Sequence, residues 1–135
     1  EVLGFSEHSF HPNPDIYGMA SAERQEEYRK EIYRLKTVYS DRIKILCGIE
    51  QDSQSGAPTD VYDYVIGSVH NLQLGGEFCA IDLDVRDVQN AIKTHCGGEP
   101  IAYAKAYFEA VARVETDTQC DIVGHFDLLT KNNEE

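Results

Sequence analysis

Four stretches of this chain share one build, an apolar run rich in β-branched and aromatic residues that stops on a histidine or a glutamate. The fullest is YDYVIGSVH, from Tyr62 to His70. The others are VLGFSEH (Val2 to His8), IKILCGIE (Ile43 to Glu50) and CDIVGH (Cys120 to His125). Near-continuous apolar runs of this length read as strands buried on both faces, the pattern of a parallel sheet covered by helices. In such sheets ligands bind beyond the carboxyl ends of the strands. His8, Glu50, His70 and His125 all stand at those ends, so neighbouring strands would bring them to one patch.

Helical spacing fills the intervals. Over Ser21 to Ser40, Tyr28, Ile32, Leu35 and Tyr39 share one stripe, Ser21 is placed to cap the start, and acidic residues precede basic ones as the helix dipole favours. Asp84 is placed to cap a second helix, through about Thr94, with Val85, Val88, Ala91 and Ile92 inward and Gly97-Gly98 at its end. Pro100 suits the first turn of a third, through about Glu115, with Ile101, Ala104, Phe108, Val111 and Ala112 as its buried stripe. Residues 9–18 and 51–60 read as loops, 71–82 as irregular chain, and 126–135 as a polar tail or the start of another element. Only eleven residues separate Glu50 from Tyr62, a cramped crossover for two parallel strands. The expected fold class is therefore α/β, with parallel strands and outer helices.

At 135 residues the chain is long enough for one domain with a real core and short for two. No apolar run approaches the roughly 18 residues of a membrane helix. A net charge of −12 argues against a nucleic-acid backbone as partner. An anionic substrate would need local positive charge, which divalent cations would supply. The four cysteines, Cys47, Cys79, Cys96 and Cys120, form no CxxC. Cys47 and Cys120 read as small core residues, a usage that fits a reducing cytoplasm. Val2 already reads as mid-strand, so further sequence is expected ahead of Glu1.

A histidine after a strand is more often hydrogen-bonded structure than a ligand, and His11 and His95 are read that way, His95 as a helix C-terminal cap. Glu50 is harder to dismiss, because a carboxylate closing an apolar run is costly to bury unless it is paired or bound to a cation. Three imidazoles and a carboxylate suit Zn, Fe or Mn, and a carboxylate can bridge two ions. Paired ions serve phosphoester hydrolysis. A Ser-His-Asp hydrolase is the weaker reading: there is no GxSxG elbow, and Ser68 is better explained as a small residue shaping a strand end.

GFSEHS (Gly4 to Ser9), YRKEIYRLKTVY running into IKILCGIEQD (Tyr28 to Asp52), YDYVIGSVH and DIVGHFDLL (Asp121 to Leu129) resemble, in order and spacing, motifs of the PHP (polymerase and histidinol phosphatase) family, and among its members the monofunctional histidinol-phosphatases. That resemblance implies a distorted (β/α)7 TIM-like barrel with a trinuclear metal centre of Zn, Mn or Fe, hydrolysing histidinol phosphate in histidine biosynthesis. It implies that Glu50 bridges two metals, that His70 and His125 complete the ligands of one of them, and that His8 serves the third. Asp127 would orient ligands or substrate, or cap a helix.

The chain departs from the family pattern at both ends. It holds neither the opening His-x-His pair with its nearby Asp nor the late Asp-x-His, and His8-Ser9-Phe10-His11 has the wrong spacing for the pair. The expectation is a partial PHP domain over residues 1–135, with fewer than three metals and impaired phosphatase activity. The partners expected are a small phosphorylated substrate, neither nucleic acid nor membrane, and a second copy of the chain at the open sheet edges. Alternative readings are another PHP-type phosphoesterase acting on nucleotides and a non-catalytic module stabilised by metal.

Overall fold

The computed structural model describes residues 1–13 and 16–131. Its centre is a parallel sheet in the order β1 (Val2–His8), β2 (Lys44–Asp52), β3 (Tyr64–Ser68) and β6 (Ile122–Val123). β1 and β2 run in register from Val2 opposite Lys44 to His8 opposite Glu50, and β2 and β3 from Gly48 opposite Tyr64 to Asp52 opposite Ser68. The fold is α/β, with parallel strands and outer helices as the apolar runs imply, and it is part of a TIM-like barrel as the resemblance implies.

Side chains alternate across a strand. Ile45, Cys47 and Ile49 of β2 therefore point one way and Gly48, Glu50 and Asp52 the other. The first set is buried, and Ile45 and Cys47 pack against Ile32 of α1 (Ala22–Val38) with Phe5, Tyr28 and Leu35 around them. Ser21 caps α1 by accepting from the Arg24 N–H, and the Tyr28 hydroxyl donates to the Gly48 carbonyl at 2.9 Å. On the opposite face the Tyr64 ring lies across β2 and β1. A Cβ on Gly48 would collide with the carbons of that ring, and one on Gly4 with the Tyr64 hydroxyl. The close approach at Gly4 is thus to a side chain.

The β2–β3 crossover is made without a helix. Asp63 closes it, its carboxylate accepting the Cys47 N–H at 2.6 Å and pairing with Lys36 of α1. Residues 71–82, expected to be irregular, instead form an antiparallel hairpin of β4 (Asn71–Leu74) and β5 (Glu77–Ala80). Gly75 and Gly76 turn it, both at positive φ, 59° and 89°, where a side chain would be strained.

A second core lies under this hairpin, formed with α2 (Val85–His95), α3 (Pro100–Val111) and α4 (Val114–Thr118). Asp84 caps α2 by accepting from the Arg86 N–H, and Gly97 and Gly98 follow its end at positive φ. The third helix is corrected in two respects. It breaks near Ala112–Arg113, and it buries Tyr103, Tyr107, Ala110 and, past the break, Val114. Ile101 is 79% exposed and Phe108 50%. Both sides of this helix carry apolar residues, so periodicity alone does not choose the face. The tyrosines contribute the larger buried area, about 1.5–3 kcal/mol for each large side chain.

The last strand is also corrected. Only Ile122 and Val123 pair, and they are 50% and 46% exposed because β6 is a sheet edge. Val2 and Leu3 are exposed at the other edge, on β1. All four cysteines are free, and among the described residues no helix is long and apolar enough to cross a membrane.

Candidate metal centre

The register carries four side chains to the carboxyl end of the sheet. His8 ends β1 opposite Glu50 of β2, so the two project from the same face. β3 stops at Ser68 because Asp52 captures the next free donor: its Oδ2 accepts the His70 backbone N–H at 3.0 Å and turns the chain over the strand end. Past β6, the Gly124 N–H donates to the Gly67 carbonyl at 2.9 Å. A side chain at Gly124 would strike the Ser68 hydroxyl, so glycine lets the chain pass close and lift His125 into the cluster.

Three donor atoms face one another. His70 Nε2 is 3.2 Å from Glu50 Oε1 and 3.1 Å from His125 Nε2, and His125 Nε2 is 3.9 Å from Glu50 Oε1. Ligands about 2.0–2.1 Å from a tetrahedral ion stand roughly 3.3 Å apart, so this triangle has the size of a divalent metal site. Glu50 also looks the other way, with Oε2 3.9 Å from His8 Nε2. His8, Glu50 and His70 offer donor atoms all within 4.8 Å of one another. There are thus two overlapping triads sharing Glu50 and His70, with His8 on one side and His125 on the other. The rings of Tyr17, His8, His70 and His125 follow in a row, with successive centroids 4.8–4.9 Å apart.

The electrostatics without metal follow from these contacts. Hydrogen bonding to His70, reinforced by Ser68 and opposed by burial, holds the Glu50 carboxyl down at about 2. Burial disfavours charge on His70, yet its bonds to Asp52 and Glu50 outweigh that and raise it to about 9. Burial and the neighbouring His70 charge both lower His125. The metal-free site is therefore an imidazolium clamped between two carboxylates beside a neutral imidazole. His125 Nδ1 is buried with no partner, and Glu50 is fully ionised. An ion displacing the His70 proton would find one carboxylate and two neutral imidazoles, a donor set that suits Zn, Mn or Fe.

Asp52 is the residue that sequence reading missed. It is buried, with Oδ2 3.3 Å from His70 Nδ1, and it fixes the ring so that Nε2 faces Glu50 and His125. The signal was present in GIEQD: two residues past Glu50 on one strand means the same face. Ser68 donates its hydroxyl to Glu50 Oε1 at 2.8 Å, which gives it a structural use at the strand end.

The other candidates lie elsewhere. His11 is buried, accepts the Asn13 N–H at Nδ1 and meets the edge of Phe78. His95 sits 3.2 Å from Glu77 Oε2, under the hairpin turn. Asp127 is exposed ahead of a single 3-10 turn, Leu128–Thr130, and its side chain makes no capping bond. Beside His8 and His70 opens a cavity of about 340 Å³, also lined by Tyr17, Asn71, Asp82 and Lys131.

No family model and no curated protein matches the sequence. Among solved structures the chain is similar to the crystal structure of hisK from Listeria monocytogenes, described as a candidate histidinol phosphatase, at 21% identity and a TM-score of 0.66. The match covers 84% of this chain and 49% of that one, so this chain spans about half the length of the structure it resembles. At that identity the likeness shows the fold alone, part of a TIM-like barrel.

Proposed function

We propose that this chain carries the Glu50–His70–His125 metal site of a PHP-type phosphomonoesterase, with histidinol phosphate as substrate and histidinol and phosphate as products. The observation that carries the reading is the metal-sized triangle of donors at the carboxyl end of a parallel sheet, with an ionised carboxylate that also faces a fourth ligand candidate, His8. The family resemblance of the four motifs and the fold shared with hisK support the choice of reaction.

A divalent ion in this site would polarise a phosphoryl oxygen and make water acidic enough to attack it. The residues of the chain do the rest. Glu50 and His125 offer donors that need lose no proton at neutral pH, Asp52 and Ser68 hold His70 and Glu50 in place, and the cavity beside His8 and His70 receives the ester. Because the sequence lacks His-x-His and Asp-x-His, the chain alone is proposed to build this one site well and the remaining two poorly, with weak turnover. The same shortage favours a second reading, a non-catalytic module stabilised by one ion.

Metal analysis and a phosphate-release assay on histidinol phosphate with Mn or Zn test both. The expected result is about one tightly held ion per chain and slow, metal-dependent release that Glu50→Ala abolishes. Release absent at every metal concentration from histidinol phosphate and from a panel of nucleotides would leave only the non-catalytic module. Full turnover would overturn the claim of an incomplete centre.

A further inference from the structure

The third helix presents an apolar face that nothing among the described residues covers. With Tyr103, Tyr107 and Ala110 turned into the core, Ile101, Ala104, Phe108, Val111 and Ala112 form a second stripe along another side of α3. Ile101 is 79% and Phe108 50% exposed on it. The stripe borders a groove of about 330 Å³ between α2 and α3, walled by Val85, Val88, Ile92, Ile101, Ala104 and Leu129, and among the described residues none that lines it is charged. α3 holds only two charges, Lys105 and Glu109, one turn apart on the same edge of the stripe. They meet at 3.8 Å with side chains 76% and 58% exposed, a contact too wet to hold either firmly. A chain of net charge −12 thus carries, on this helix, a surface whose charges cancel.

We infer that this face is an interface whose occupant is α3 of a second copy, lying antiparallel to the first. The reason is self-complementarity. Ala104 and Phe108 lie one turn apart on the stripe, so a two-fold axis at the level of Ala106 sets Phe108 of each copy over Ala104 of the other. A large ring then meets a small side chain beside the groove, and Ile101 meets Val111. The same axis brings Lys105 of each copy to Glu109 of the other, because like edges of the two stripes face each other in an antiparallel pair. Two crossed ion pairs replace the exposed contact within each helix. Symmetry supplies ring, gap and both charges in matching places, which an unrelated partner has no reason to repeat. The contact uses no residue of the metal centre and none of the β1 or β6 edges. A patch about three turns long stands at the lower end of interface sizes, so the dimer is weak, with a dissociation constant of roughly micromolar size.

Sedimentation equilibrium of the 135-residue chain over a concentration series tests this. The wild type should dimerise, and Phe108→Glu should weaken the dimer about 100-fold, about tenfold for each of the two rings. Lys105→Glu should weaken it too, and adding Glu109→Lys to that variant should restore it, since the swap recreates both crossed pairs. Circular dichroism and thermal melting check that each variant folds, and Ile101→Glu replaces Phe108→Glu if the latter does not. A chain that stays monomeric at about 1 mM, a dimer that Phe108→Glu leaves intact, or a double variant no tighter than Lys105→Glu would overturn the inference. A dimer lost in Ile122→Lys but untouched by Phe108→Glu would overturn it by placing the contact at the strand edges.

Discussion

Metal uptake by this chain should release a proton at neutral pH, and its affinity should rise steeply with pH. The cause is His70. Its Nε2 faces Glu50 at 3.2 Å and its Nδ1 faces Asp52 at 3.3 Å, so without metal both nitrogens carry protons and the ring titrates near 9. A ligand imidazole must offer Nε2 unprotonated. At pH 7 the ring is two units below its pKa, so only about 1% of the chains are ready to bind. Apparent affinity is then lowered roughly 100-fold, about 2.7 kcal/mol, relative to the deprotonated site. Glu50, held near 2, and His125, lowered by burial and by the His70 charge, release nothing comparable at that pH. Titration calorimetry with Mn in buffers of different ionisation enthalpy counts the protons. About one should leave per ion at pH 7, and affinity should climb about tenfold per pH unit up to 9 and then level off. An affinity independent of pH between 7 and 9, with no proton released, would refute the clamp on His70.

Asp52→Asn keeps the shape but removes the charge that orients His70, and metal affinity compared at or above about pH 9, where the His70 proton no longer competes, should fall about 10- to 100-fold by calorimetry, with Mn restored at high concentration if the fold is intact. In the metal-free chain the same contacts bear on folding. His70, raised from 6.5 to about 9, contributes stability that is complete below pH 6.5 and lost as pH rises through 9. Glu50, lowered from 4.5 to about 2, contributes stability that is complete above pH 4.5 and lost as pH falls through 2. His125, held below its usual 6.5, costs stability as pH falls below that value, so melting temperature should be highest near pH 6.5, decline above it with His70 and below it first with His125 and then with Glu50. Gly48→Ala would drive a methyl into the Tyr64 ring and should cost about 1–3 kcal/mol in chemical denaturation.

The sheet and the residues at its end were legible because each strand is a continuous apolar run that stops abruptly on His8, Glu50, His70 or His125, and a parallel sheet puts such ends together. Other features were hidden for physical reasons. The β4–β5 hairpin has strands of only four residues, too short for alternation to stand out, although Gly75-Gly76 marked its turn. The face of α3 was misjudged because Ile101 and Phe108 are as apolar as the residues it buries, and what decided the face was packing of Tyr103 and Tyr107 against distant elements. Cys120 to His125 read as a buried strand, yet its paired residues Ile122 and Val123 are half exposed at the end of the sheet order, a difference that depends on what lies beside the strand rather than on its own residues. Lys131 and Asp82, which meet on the wall of the cavity beside His8 and His70, are 49 positions apart, and no local pattern joins them.

The central claim is that Glu50, His70 and His125 hold a divalent ion. Anomalous diffraction at the metal edge, from crystals of the chain grown with Mn or Zn, tests it most directly. A peak is expected about 2.0–2.2 Å from Glu50 Oε1, His70 Nε2 and His125 Nε2, absent in His70→Ala. A chain that takes up metal with its anomalous peak elsewhere, or that shows no peak at these three atoms at saturating metal, would contradict it.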